Sequence, residues 1–242
     1  MGERIALVTG GNKGIGFEVV RGLGAAGVTV YLGARQTALG DAATAQLRAE
    51  GHDVRFVHLD VTAANDIARA AVLMQRQHGR LDILVNNAAI GLDFTSPSLV
   101  TMESMRSIFE TNTFAPVAMI NALLPLLRNS PAGRIVNVSS DFGSLTLNTT
   151  PKMPHRKAIS LAYPSSKAAL NMITVQFAKE LRESPIRINA VDPGFTDTDM
   201  TSGMGNATRS AAQAAVAIVR LALAGDDCPH GTYSNEGGPV PW

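Results

Sequence analysis

Short apolar runs alternate with longer amphipathic stretches along the whole chain, and few folds accept that rhythm. Arg4–Gly10, Val28–Arg35, Asp53–Val61, Leu81–Ala89, Gly133–Ser140 and Ile186–Gly194 read as buried strands, and Gly231–Gly238 as a last short one. Gly16–Gly27, Ala38–Gly51, Ala63–Gly79, Met102–Leu127, Ser165–Leu181 and Arg209–Gly225 read as helices. In Ser165–Leu181, Leu170, Ile173, Phe177 and Leu181 share one face. Pro116 and Pro125 predict a bend or interruption in Met102–Leu127. Strands apolar on both sides need cover on both sides. The repeat therefore predicts an α/β fold, a doubly wound parallel sheet with helices on both faces and right-handed crossovers.

The 242 residues suit a single domain, 1–242, and no linker or internal repeat breaks the pattern. A formal net charge of +1 with 17% charged residues argues against a nucleic-acid or acidic-membrane partner. The lone Cys228 excludes an internal disulfide and fits a reducing compartment. The start, MGERIALVTGG, lacks the apolar core of a signal peptide. Arg220 interrupts the most apolar late stretch, which is too short to span a bilayer. A soluble, cytoplasmic protein is expected.

Open parallel sheets bind ligands at the carboxyl ends of their strands, so chemistry-bearing residues should fall there. TGGNKGIG, Thr9–Gly16, closes the first strand and opens the first helix. Gly10, Gly14 and Gly16 allow a tight turn and close backbone approach to a pyrophosphate. The helix start offers free N–H groups and a positive dipole end. This turn makes the sheet Rossmann-type. Asn86, Asn87 and Ala88 end the fourth strand, where amides suit loop fixing, capping or ligand contact. Asp60 ends the third, where its carboxylate suits an adenine amino group or the cap of the next helix. NAD-binding sheets place an acid at the end of the second strand, ~20 residues past the turn. Here Ala34 stands there with Arg35 next to it, and Arg35 with Lys13 suits a 2′-phosphate, which predicts NADP(H).

Tyr163 and Lys167 stand one helical turn apart in AYPSSKAAL. Such pairs are common on helices, yet the pair fits a chemistry. Reduction of a carbonyl leaves an alkoxide that needs a proton. A phenol has an ordinary pKa of about 10, and an ammonium alongside is expected to lower it toward neutrality by ~1–3 units.

In this order, TGGNKGIG, LDV at Leu59–Val61, NNAA at Asn86–Ala89, Asn112 in ETNTF, VNVSS at Val136–Ser140, Tyr163 with Lys167, and PGFTDTDM at Pro193–Met200 resemble the short-chain dehydrogenase/reductase family over nearly the whole chain. The combination GGNKGIG then GAR looks most like its carbonyl-reductase branch. The resemblance implies a catalytic set of Asn112, Ser140, Tyr163 and Lys167. Ser140 would hold the substrate oxygen, with Ser139 the competing serine. Asn112 would anchor a water behind the lysine, and Lys167 would also bind the nicotinamide ribose. For the cofactor it implies Asn12, Lys13 and Ile15 with the three glycines of the first turn. It adds Asp60 and Val61 after the third strand, and Asn87 and Ala88 after the fourth. Pro193, Gly194, Thr196 and Thr198 follow the sixth, with Thr198 at the carboxamide or serving as an N-cap.

Two departures stand out. Ala89 replaces the glycine that usually ends the asparagine motif. The stretch Asp141–Ala162 between the serine and the tyrosine is longer than in many members, and its His155, Arg156 and Lys157 lack the further ligands a metal site needs. It reads as a solvated loop over the cleft, together with the 195–210 loop. Long inserts at this place accompany monomers in the carbonyl-reductase branch, whereas most of the family forms homodimers or homotetramers; this one is intermediate. The substrate pocket is expected from Gly91–Val100, Ser144–Ala162 and Thr201–Thr208, with Phe94, Leu145, Phe195 and Met200 as apolar lining. The expected function is reduction of a ketone, aldehyde or quinone. The alternatives are a 3-oxoacyl thioester reductase and a catalytically silent NADP-sensing regulator.

Overall fold

The computed structural model describes residues 4–91, 94–150, 159–202, 205 and 207–242. Its strands are β1 (Ile5–Thr9), β2 (Thr29–Ala34), β3 (Val54–His58), β4 (Ile83–Asn86), β5 (Arg134–Val138), β6 (Arg187–Val191), β7 (Tyr233–Asn235) and β8 (Gly238–Pro239). They form one sheet in the order β3-β2-β1-β4-β5-β6-β7-β8. All pairs are parallel except β7 with the short β8, a returning edge that sequence periodicity merged into one strand. The order reverses between β1 and β4, which opens the crevice where such sheets bind ligands.

The helices are α1 (Gly14–Ala25), α2 (Thr37–Ala49), α3 (Ala64–His78), α4 (Met102–Phe109), α5 (Ala115–Arg128), α6 (Leu145–Thr149), α7 (Ala162–Glu180) and α8 (Ala211–Leu223). One face of the sheet packs on α1, α2 and α8 through residues such as Val20, Leu47 and Ile218. The other packs on α3, α5 and α7 through Met74, Ile120 and Ala178. Among the described residues no helix is long and apolar enough to cross a membrane.

Two expectations need correction. The predicted break in Met102–Leu127 is present, but prolines do not make it. Glu110–Phe114 forms a π-helical turn, and Pro116 sits in the first turn of α5, where its missing N–H costs nothing. On α7 the buried residues are Ala162, Tyr163, Ser166, Lys167, Leu170, Asn171, Thr174 and Ala178. The predicted apolar stripe is only half right. Leu170 and Leu181 are buried, while Ile173 and Phe177 stay part-exposed at its flank. The core-facing stripe is polar because it carries the candidate site.

The first part of the Asp141–Ala162 stretch is structured as a 3-10 turn at Asp141–Gly143 followed by α6. Residues 151–158, which hold His155, Arg156 and Lys157, lie outside the described residues, as do 92–93, 203–204 and 206 of the expected pocket segments.

Candidate active site

The glycine turn is fixed by close approach. Gly10 has φ +65°, and a Cβ there would stand 3.1 Å from the Ala88 backbone. A Cβ on Gly16 would lie 2.2 Å from the Gly10 carbonyl oxygen, so only glycine fits. Thr9 ties the same corner to β4: its Oγ1 accepts the N–H groups of Asn87 and Ala88, each at 3.0 Å. The Asn87 amide donates to the carbonyls of Thr9 and Gly10 at 2.9 and 3.2 Å. The first turn of α1 has no side-chain cap and no acidic residue. Its N–H groups therefore suit an anionic ligand, and this corner fits a dinucleotide pyrophosphate.

A cleft of about 650 Å³ runs from this turn across the carboxyl ends of the strands. Gly10, Asn12, Lys13, Gly14, Ile15 and Gly16 form one end, with Arg35, Asp60 and Val61 beside them. Asn87 and Ala88 form the middle; Tyr163, Lys167, Pro193, Thr198 and Met200 line the far part. Arg35 is exposed. Lys13 is exposed too, with its ammonium 2.6 Å from the Asp199 carboxylate. Asp60 does not cap α3: its Oδ1 accepts the Thr62 N–H at 2.9 Å and the Thr62 hydroxyl at 2.7 Å, which holds its carboxyl below the usual range. Gly194 and Thr196 shape the loop and do not line the cleft. Gly194 has φ +76°, and the buried Thr196 hydroxyl donates to the Gly194 carbonyl at 2.8 Å. Thr198 caps no helix; its N–H donates to Thr201 Oγ1 at 3.0 Å.

The α7 residues are held by a ladder of buried polar bonds. Asn86 donates to Asn137 and Asn137 to Thr174, each at 2.9 Å. Gly143 touches α7 so closely that a Cβ would stand 2.7 Å from the Lys167 carbonyl carbon, which accounts for the glycine three residues after Ser140. Asn112, buried in the π turn, accepts the Ile90 N–H and donates to the Ile90 carbonyl, both at 2.9 Å, and reaches Ser166 Oγ at 3.1 Å. Its side chain is thus engaged by these partners, and it is not among the residues that line the cleft.

The two serines separate by what their hydroxyls do. Ser139 is buried and donates to Asn171 Oδ1 at 2.6 Å. It touches the cleft wall, yet its hydroxyl points inward. The Ser140 hydroxyl donates to Asp141 Oδ1 at 3.4 Å, and the Ser140 side chain lies near enough to act on the Tyr163 phenol. Tyr163 is buried, with Phe142 edge-on at 6.3 Å between ring centroids.

The phenol corrects one expectation. Burial pushes Tyr163 above its ordinary range, the Ser140 side chain offsets part of this, and the Asp192 and Asp141 charges push it further up. Lys167 does not lower it. The ammonium donates to the Val138 carbonyl at 2.8 Å and sits 5.6 Å from the centre of the Tyr163 ring. Burial lowers its own pKa to about 8.

Sequence reasoning passes over Thr9, Asn171 and Asp192. Thr9 opens the glycine motif, and Asp192 has a signal as the one carboxylate in NAVDPG. Asn171 has none beyond its spacing from Lys167. Of the expected apolar lining, Met200 is at the cleft. Phe94, Leu145 and Phe195 are 51%, 72% and 39% exposed, so they form a rim at most.

Comparison with known proteins finds one family over most of the chain. The short chain dehydrogenase profile matches residues 4–209. The chain is 34% identical to carbonyl reductase (NADPH) 1 of Sus scrofa, covering 99% of this chain and 94% of that protein. It is 33% identical to (-)-isopiperitenone reductase of Mentha piperita, covering 96% of each. The crystal structure of NADPH-bound carbonyl reductase from chicken fatty liver superposes with a TM-score of 0.87 at 29% identity, with all of both chains covered.

Proposed function

The chain belongs to the short-chain dehydrogenase/reductase family, and we propose that it is an NADPH-dependent reductase of a small ketone, aldehyde or quinone, with Tyr163 as the proton donor. One observation carries this reading. Tyr163 and Lys167 stand at one end of a cleft whose other end is the glycine turn, with Lys13 and Arg35 beside it.

When bound, the nicotinamide cofactor supplies the reducing equivalent, and every other demand falls on the chain. The glycine turn and the start of α1 hold the pyrophosphate. Arg35 and Lys13 take the 2′-phosphate, and Ala34 leaves out the carboxylate that would repel it. Lys167 binds the nicotinamide ribose. The substrate oxygen lies between the Ser140 and Tyr163 hydroxyls, which hydrogen-bond it as negative charge develops there. Tyr163, kept protonated by burial, then donates its proton. Asn112 acts by position, tying Ile90 to the helix that carries Tyr163. In alcohol oxidation the same phenol takes the proton back.

Initial rates with NADPH and with NADH test the reading on a panel of ketones, aldehydes and quinones plus a 3-oxoacyl thioester. Charge-assisted bonds of roughly 1.5–3 kcal/mol predict an NADPH preference of at least ~10-fold in kcat/KM. Equal use of the two cofactors contradicts the assignment of Arg35. A protein that binds NADPH and reduces no carbonyl is the silent regulator instead.

A further inference from the structure

The helix that carries Tyr163 and Lys167 also carries a buried amide that the chemistry above does not use. Asn171 stands one turn beyond Lys167 on α7 and is 4% exposed. A side-chain amide buried this far is costly unless both of its ends are bonded. Asn171 finds its partners on one loop. Its Oδ1 accepts the Ser139 hydroxyl at 2.6 Å, and its Nδ2 donates to the Gly143 carbonyl at 3.2 Å. Those two residues bracket Ser140, Asp141 and Phe142. One planar group therefore spans both ends of the stretch that holds the candidate serine.

The stretch between the two ends is itself a tight unit. The Gly143 N–H donates to the Ser140 carbonyl at 2.7 Å, and the Phe142 N–H donates to Ser140 Oγ at 3.3 Å. Gly143 lies against the backbone of Lys167 and Ala168 with no room for a Cβ, and Phe142 meets the Tyr163 ring edge-on. Further bonds run to other elements. The Ser139 N–H donates to the Val191 carbonyl on β6 at 2.7 Å, and the Asn148 amide donates to the Phe142 carbonyl at 2.8 Å. These hold the turn to the sheet and to α6. The Asn171 bonds hold it to the helix of Tyr163, so they set Ser140 relative to the phenol. Lys167 is anchored separately, through the Val138 carbonyl at 2.8 Å.

We propose that Asn171 is a positioning residue for carbonyl reduction, whose amide clamps both ends of the Ser139–Gly143 turn to α7 and so keeps the Ser140 and Tyr163 hydroxyls aimed at one substrate oxygen. The proposal rests on the reading of Ser140 as the residue that holds that oxygen. Two hydroxyls serve one oxygen only while their spacing is kept, and a misplacement of ~1 Å can cost ~10²-fold in rate. The cofactor end of the cleft does not depend on the clamp, since the glycine turn and Lys167 are held by other bonds.

The test compares Asn171→Ala in two backgrounds, wild type and Ser140→Ala, by kcat, by NADPH affinity from cofactor fluorescence and by melting temperature. In wild type kcat should fall about ten-fold, while NADPH affinity stays within about two-fold because no bond to the cofactor is lost. In Ser140→Ala no serine hydroxyl is left to misplace, so the further loss in kcat should be less than about two-fold. The drop in melting temperature should be the same in both backgrounds, because the lost bonds do not involve the Ser140 side chain. A crystal structure of Asn171→Ala should show Ser140 Oγ displaced relative to the Tyr163 hydroxyl. Equal kcat losses in the two backgrounds, or an unchanged kcat in folded Asn171→Ala, overturn the proposal. If the alanine variant does not fold, Asn171→Leu, which fills the space and removes both bonds, decides by the same comparison. Full turnover in Ser140→Ala overturns the serine assignment instead. The crystal structure then decides by itself whether Asn171 holds the turn, and an unmoved Ser140 overturns the clamp.

Discussion

The ammonium of Lys13 in the glycine turn lies 2.6 Å from the carboxylate of Asp199 in the loop after β6. The pair bridges the two sides of the cleft, at the residue proposed to take the cofactor 2′-phosphate. Asp199 and that phosphate therefore compete for one cation. Asp199→Asn should lower KM for NADPH and leave KM for NADH unchanged. The change should be a few-fold at most, because both partners are exposed and such pairs are weak. It should shrink as salt is added. Steady-state kinetics at two ionic strengths check it, and a higher KM for NADPH contradicts the competition.

Arg35 is exposed at the end of β2. Arg35→Ala should raise KM for NADPH by about ten-fold, the loss of a charge-assisted bond, with NADH kinetics nearly unchanged. Parallel rises for both cofactors would mean that the side chain holds the loop and not the phosphate.

Ser140 and Ser139 are adjacent, yet of the two only Ser140 acts on the Tyr163 phenol. Ser140→Ala should cut kcat by ~10²-fold, as for a lost oxyanion donor. Ser139→Ala, which breaks the 2.6 Å bond to Asn171, should cost melting temperature more than turnover. A reversed ranking in kcat would place the catalytic serine one residue earlier.

Asp192 also predicts a stability trend. Its pKa is about 6 in the fold against 3.8 for an ordinary aspartate, so the folded state binds the proton more tightly. Stability is therefore lost as pH rises from about 4 through 6, by an amount of order 3 kcal/mol. Asp192→Asn cannot ionise and escapes this loss. Its melting temperature relative to wild type should rise by about 9 °C between pH 4 and pH 8. A difference that does not change with pH contradicts it.

The strand and helix rhythm was legible because apolar periodicity reports burial, and burial decides most of this fold. The glycine turn, Asn86–Ala88, the two serines and Pro193–Gly194 fell at strand ends as the parallel sheet requires, while Asn112, Tyr163 and Lys167 came from helices packed against them. Periodicity failed on α7, where the core-facing residues Ser166, Lys167, Asn171 and Thr174 are polar and satisfied by Asn112, Val138, Ser139 and Asn137. It also could not show that the Lys167 ammonium turns to the Val138 carbonyl, since a four-residue spacing fixes backbone proximity and not side-chain direction. Asp192 was hidden for another reason. Pro193 and Gly194 explain a turn on their own, and only the packing of Asp141 and Tyr233 around the carboxylate makes it chemically distinct.

Tyr163→Phe keeps the ring against Phe142 and removes the one hydroxyl proposed to give up a proton. NADPH binding, followed by cofactor fluorescence, should be within about two-fold of wild type, since no charge-assisted bond to the cofactor is lost. In the same preparation kcat for the best carbonyl of the panel should fall by at least ~10²-fold at every pH, the lower end for a general acid. Intact binding with that loss is the result predicted; intact binding with near-normal kcat contradicts the central claim that Tyr163 is the proton donor.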